Sequence, residues 1–120
     1  MKKKILLKRA YDPPAGSDGT RILVDRLWPR GISKEKADVE LWLKDLAPSH
    51  ELRKTFHGHP DEWKAFVSAY KKELKSDAAQ AALAELEARL HKGPVTLLYA
   101  ARDERHNNAV ALKAWLEEHL

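Results

Sequence analysis

The sequence predicts an α/β fold: a small parallel or mostly parallel sheet flanked by helices, with residues 1–120 forming a single domain. Three observations carry this reading. The runs Arg21–Leu27 and Val95–Ala101 are apolar on consecutive residues rather than alternate ones, as in strands covered on both faces. Between them lie stretches whose apolar residues repeat at helical spacing. Gly, Pro, Asp and Ser punctuate the boundaries, and strands separated by helices favour parallel pairing.

The first strand is Lys4–Ala10, a short apolar run bounded by charge. "YDPPAGSDGT" (Tyr11–Thr20) follows as a loop, because Pro, Gly, Asp and Ser each disfavour a regular ladder. Arg21–Leu27 is the second strand, ended by Pro29, which has no N–H for the sheet. Ser33 caps a short helical turn. "DVELWLKDLAPS" is ambiguous: Val39, Leu41 and Leu43 alternate as in a strand, whereas Val39, Trp42, Leu43 and Leu46 fit a helix. It is taken as a strand, and Ser49 caps a short helix that runs through Phe56. Pro60, Asp61 and Glu62 suit a helix start, and Trp63, Phe66, Val67, Tyr70 and Leu74 form the buried stripe. Asp77 with Gln80 reads as a capping box for the next helix, whose stripe is Leu83, Leu86 and Leu90 and whose stop is Gly93-Pro94. After Val95–Ala101, Asp103 caps a final helix that buries Ala109, Leu112, Trp115 and Leu116. Trp63 and Trp115 belong to the core.

Composition narrows the function classes. The chain has no cysteine, which excludes disulfides, zinc ribbons and thiol catalysis and suits a reducing cytosol. Only Ile5-Leu6-Leu7 is apolar after the N-terminal lysines, far short of the ~7–15 residues of a signal or the ~20 of a membrane span. The expectation is a cytoplasmic protein with no membrane partner. The net charge of +4 is concentrated in residues 1–40, which hold ten Lys or Arg against six Asp or Glu. A charge this small supports nucleic acid only weakly as a partner. No Gly-x-Gly-x-x-Gly or Walker loop is present, so no nucleotide cofactor in its usual cradle is expected.

In a parallel sheet, ligands gather outside the carboxyl ends of the strands. Those ends and the turns beyond them offer Arg9 and Tyr11; Asp25, Arg26, Trp28 and Arg30; Lys44, Ser49 and Arg53; and Tyr99, Asp103, Asn107 and Asn108. Guanidinium groups are the usual equipment for phosphate or carboxylate. Competing structural roles exist at each position. Asp25 could neutralise Arg9 or Arg53, and as strand neighbours Asp25 and Arg26 share a pocket only if the strand ends between them. Trp28 suits packing better than stacking on a base. His57 and His59, two apart and without a cluster of carboxylates, make a poor metal pair, so no metal is expected. Ser49 beside His50 lacks a nucleophile elbow and reads as a cap. Asparagine is unusual early in a helix, which points Asn107 toward a ligand or a neighbouring loop.

The motifs "VDRLWPRG", "LAPSHELRKTF", "FVSAYKKEL", "VTLLYAARD" and "NNAVAL" together resemble the YeaO-like family, domain of unknown function 488, in order from about Arg9 to Leu116. The resemblance implies that the family pattern includes Arg9, Asp25, Arg26, Trp28, Pro29, Arg30 and Gly31, then Ala47, Pro48, Ser49, Leu52 and Arg53. The chain departs from it at Asn108, where the family often has histidine, and at Arg102, where it often has lysine. If that histidine is catalytic in relatives, the step is missing here. The family brings no established activity, and nothing in these residues supports the transcription-regulator label that some members carry.

The reading is therefore an arginine-rich cleft for a phosphate- or nucleotide-like anion. Arg9, Arg26, Arg30 and Arg53 hold the charge, and Asn107 positions the ligand. Hydrolysis would be a further step, with Asp25 or Asp103 as base. The alternative is a non-catalytic accessory or regulatory protein that binds DNA or a protein through its basic N-terminal third.

Overall fold

The computed structural model describes residues 4–56 and 60–119. Four strands, β1 (Ile5–Arg9), β2 (Thr20–Leu23), β3 (Leu41–Trp42) and β4 (Val95–Tyr99), form one sheet in the order β1-β4-β2-β3. All pairings are parallel, with Ile5 and Thr20 flanking Val95 and with Leu23 beside Trp42. Among the described residues five α-helices accompany it: α1 (Lys34–Ala37), α2 (His50–Thr55), α3 (Trp63–Glu73), α4 (Asp77–Lys92) and α5 (Asn108–His119). The expected small α/β sheet flanked by helices is the observed architecture.

Central β4 is buried at all five residues, which is why its apolar run does not alternate. Its two faces meet different partners. Ile22, Val24, Val95, Leu97 and Tyr99 join the main core with Tyr70, Leu74, Leu86, Leu112 and Leu116 from the helices. Leu23 and Leu98 face the other way with Ala10, under Trp28, Val39 and Trp42. That second face also buries a charged cluster. Asp18 accepts from Arg21 Nη1 at 2.7 Å, from Lys8 Nζ at 3.1 Å and from the Ala15 N–H at 3.0 Å. Arg21 additionally donates to the carbonyl of Ala37 at 2.8 Å, which fastens α1 to the sheet.

The sheet is more abruptly ended than the sequence pattern suggests. β2 stops at Leu23; one further bond, Val24 N–H to the Leu98 carbonyl at 3.2 Å, closes the ladder before the chain turns. In the ambiguous segment both periodicities are realised in succession. Leu41–Trp42 pairs as a strand, and Lys44–Leu46 then makes a single 3-10 turn that buries Leu46. Pro60–Glu62 is likewise a 3-10 turn, with the α-helix beginning at Trp63.

Helix caps differ in two places from expectation. Ser76, not Asp77, caps α4 by accepting from the Ala79 N–H. Asn107, not Asp103, caps α5: its Oδ1 accepts from the Val110 N–H at 2.9 Å. Asp103 sits too far upstream and instead folds its own loop. Ser49 caps α2 as anticipated, and its hydroxyl also donates to Glu73 Oε2 at 2.5 Å, joining α2 to the end of α3. Trp63 and Trp115 pack on the core but remain only partly buried.

Candidate functional site

A cleft of about 570 Å³ opens outside the carboxyl ends of β2 and β4. The parallel register places these ends side by side, since Leu23 lies opposite Leu98 and the chains leave the sheet at Val24 and Ala100. The turn after β2 contributes Asp25, Arg26, Trp28 and Arg30, α2 contributes Arg53, and the loop after β4 contributes Arg102 and His106. Asn107 and Asn108 line it from the start of α5, and Phe56, Phe66 and Tyr11 supply aromatic wall.

The early end of β2 decides the composition of this site. A continuing strand would send Asp25 and Arg26 to opposite faces. Because the strand has already ended, both line the cleft. The following turn is fixed by Gly31, whose φ of 77° suits glycine, by Trp28 Nε1 donating to the Ile32 carbonyl at 2.8 Å, and by Tyr11, whose hydroxyl donates to the Arg30 carbonyl at 2.8 Å. Trp28 also packs edge-on against Trp42 with centroids 5.5 Å apart, the packing role expected of it.

Asp25 is held at the base of the cleft by two neutral donors. The Ala100 N–H reaches Oδ2 at 2.8 Å, and Asn108 Nδ2 reaches Oδ1 at 3.1 Å while also donating to the Val24 carbonyl. Asn108 thereby stitches α5 to the end of β2. Asp25 forms no ion pair with Arg9 or Arg53. Burial pushes its carboxyl above the ordinary value, although the two hydrogen bonds and the Arg53 charge oppose that rise.

Arg26, Arg30 and Arg53 come together on the cleft, whereas Arg9 does not line it. Arg9 Nε and Nη2 donate to the carbonyls of Ala101 and Ala100 at 3.0 and 2.8 Å, and its guanidinium lies 4.8 Å from the Tyr11 ring centre. It braces the wall from behind. Asn107 lines the cleft but spends its amide on structure, with Oδ1 on the α5 cap and Nδ2 donating to the Asp103 carbonyl at 2.8 Å. Asp103 is exposed and outside the lining. Its Oδ1 accepts the N–H groups of Arg105 and His106, and its Oδ2 lies 3.2 Å from His106 Nδ1. Those hydrogen bonds hold its carboxyl below the usual carboxylate range.

Sequence reasoning passed over His106 and gave Arg102 only the status of a family departure. The available signal was Asp103-x-x-His106, the spacing of a self-capped turn. The phenylalanine walls were missed because Phe56 read as the end of a short helix and Phe66 as part of a buried helix stripe. His57 and His59 lie outside the described residues. Among the described residues no group of three or more His, Asp or Glu is placed to hold a metal ion, and no helix is long and apolar enough to cross a membrane.

A family model described as the inactive DUF488-N3 subclade matches residues 4–120. Uncharacterized protein YeaO of Escherichia coli (strain K12) is 45% identical over 93% of this chain and 96% of its own length. Two mycobacterial proteins, Uncharacterized protein Mb3100c of Mycobacterium bovis and Uncharacterized protein Rv3073c of Mycobacterium tuberculosis, are each 40% identical over 91% of this chain and 90% of theirs. No solved structure matches the chain. With the match extending over the sheet, the cleft and all five helices, the chain belongs to the YeaO-like family, domain of unknown function 488.

Proposed function

We propose that the cleft binds a small anionic ligand, phosphate- or nucleotide-like, in the cytoplasm and holds it without hydrolysing it. The observation that carries this reading is the pairing state of the arginines. Arg26, Arg30, Arg53 and Arg102 line one concavity from three separate segments, and among the described residues none of them is in an ion pair. Arg21, by contrast, is neutralised by Asp18. Guanidinium groups without ion-pair contacts, gathered beside low-dielectric aromatic walls, focus positive potential on the cleft. The exposed ring of Tyr11 adds a face on which a planar ring could rest, which favours nucleotide-like ligands among the anions.

Two features argue for binding over turnover. Both Asp25 oxygens and both Asp103 oxygens already accept hydrogen bonds that organise the fold, and Asp103 lies outside the cleft lining. The matching family model is itself described as inactive.

A thermal-shift series with phosphate, pyrophosphate and nucleoside phosphates tests the proposal. A ligand at about 100 times its Kd should raise Tm by roughly 10 °C in a chain of this size. Arg30→Ala and Arg53→Ala should each remove that rise while leaving the ligand-free Tm nearly unchanged. If both variants keep the protection, or mainly lose stability without ligand, the arginines serve the fold instead. A steeply salt-dependent affinity for short duplex DNA that disappears on neutralising Lys2–Lys4 would favour a basic DNA-binding surface.

A further inference from the structure

We propose that His106 is an additional ligand-binding residue of this cleft, donating from Nε2 to the anionic group when the ring is protonated, so that the site holds its anion more tightly as pH falls. The inference rests on the cleft being the ligand site and goes further by naming a pH-dependent contact.

Two contacts orient the ring. Its Nδ1 lies 3.2 Å from Asp103 Oδ2, and its face stands edge-on to Trp63 with centroids 5.2 Å apart. The Asp103 carboxylate is itself fixed by the N–H groups of Arg105 and His106. His106 lines the cleft, and among the described residues Nε2 has no protein partner. With an ionised carboxylate on Nδ1, the neutral ring carries its proton there and presents Nε2 as an acceptor. Only the imidazolium offers an Nε2–H to an anion, and then as a charge-assisted donor. The charged groups sharing the cleft are Asp25, Arg26 and Arg30 from the β2 turn, Arg53 from α2 and Arg102 from the same loop; Trp63 of α3 brings no charge. The arginines stay cationic throughout the physiological range, so they set a constant attraction on which the imidazole adds a variable one.

Sulfate is the suitable probe, since its charge is constant between pH 5.5 and 8. Calorimetric titration of the full chain with sulfate should show affinity rising about tenfold from pH 8 to pH 5.5, the ratio that about 1.4 kcal/mol produces. His106→Gln should flatten that dependence and bind about tenfold more weakly than the unmodified protein at pH 5.5. Asp25 is present in both proteins, so its titration cancels in the comparison. In the unmodified protein, the ring protons of His106 should shift in NMR spectra on adding sulfate. An unchanged pH slope in His106→Gln, or unmoved ring resonances, with binding that Arg53→Ala abolishes, overturns the His106 contact alone. Sulfate binding absent at every pH overturns the contact and the cleft reading together.

Discussion

The buried Asp18 carboxylate is the sharpest test of how this sheet is held together, and Asp18→Asn isolates its charge at nearly constant volume. Asp18 is 3% exposed and Arg21 2% exposed, so neither can turn to water. The carboxylate receives four hydrogen bonds, from the Ala15 N–H, from Arg21 Nη1 and from Lys8 Nζ on both oxygens. An asparagine offers one oxygen and turns an NH2 toward two cations. Lys8, whose side chain is 24% exposed, can move toward solvent. Arg21 cannot, and keeps only the carbonyls of Ala37 and Asp12. Breaking one partner of a buried ion pair costs about 3–5 kcal/mol, and the freedom of Lys8 places the cost near the lower end. For a chain of this length, about 3 kcal/mol corresponds to a fall in Tm of roughly 12 °C. Replacing both partners, as in Asp18→Leu with Arg21→Met, should cost less than Asp18→Asn alone, because no unpaired charge is then left inside. The pH dependence has a definite sign. Burial raises the Asp18 pKa, but the Ala15 N–H and the Arg21 and Lys8 cations outweigh it and hold the carboxyl below its ordinary 3.8. A depressed folded-state pKa gives stability that is present above 3.8 and lost as pH falls through the lower folded value. Asp18→Asn should therefore lose less stability than the parent between pH 4 and pH 2. Differential scanning calorimetry at pH 7 and through the acid range reads both effects. A Tm change below about 3 °C at pH 7, or parallel acid profiles, would show that the charge is not buried as described.

Asp25 should behave oppositely. Burial raises its pKa above 3.8, so the folded state favours its proton, and lowering pH through the folded value stabilises the protein relative to Asp25→Asn. Carboxyl-carbon NMR titration checks it, and a midpoint at or below 3.8 would contradict the assigned environment. Gly19→Ala should be severely destabilising, by at least ~1–3 kcal/mol. At Gly19 φ is 65°, and an added Cβ would fall 2.0 Å from the Pro94 carbonyl oxygen on the strand entry. Equilibrium denaturation gives the value, and a loss under about 0.5 kcal/mol, the range of surface changes, would sink the claim.

Local chemistry made much of the fold legible. The helix stripe of Trp63, Phe66 and Tyr70, the two-sided strand at Val95 and the cap at Ser49 follow from spacing and side-chain chemistry within a few residues. The α/β class and the carboxyl-end location of a candidate site follow from the order of those elements. What remained undetermined depended on partners distant in the chain. Asp18 is a near neighbour of Arg21 in the chain, but nothing local announces that the Ala37 carbonyl will accept from the same guanidinium or that Lys8 will share the Asp18 carboxylate. The end of β2 was set by where its ladder with β4 closes, at Val24 and Leu98, rather than by Pro29. That stop brought Asp25 and Arg26 to one cleft. Arg9 and Arg53 look alike in sequence, yet one meets the backbone carbonyls of the β4 loop and the other faces the cleft. The sequence alone determined which side chains could carry charge at the sheet edge. Only the tertiary structure decided which of those charges were neutralised, because pairing depends on distances between segments that local propensity does not encode.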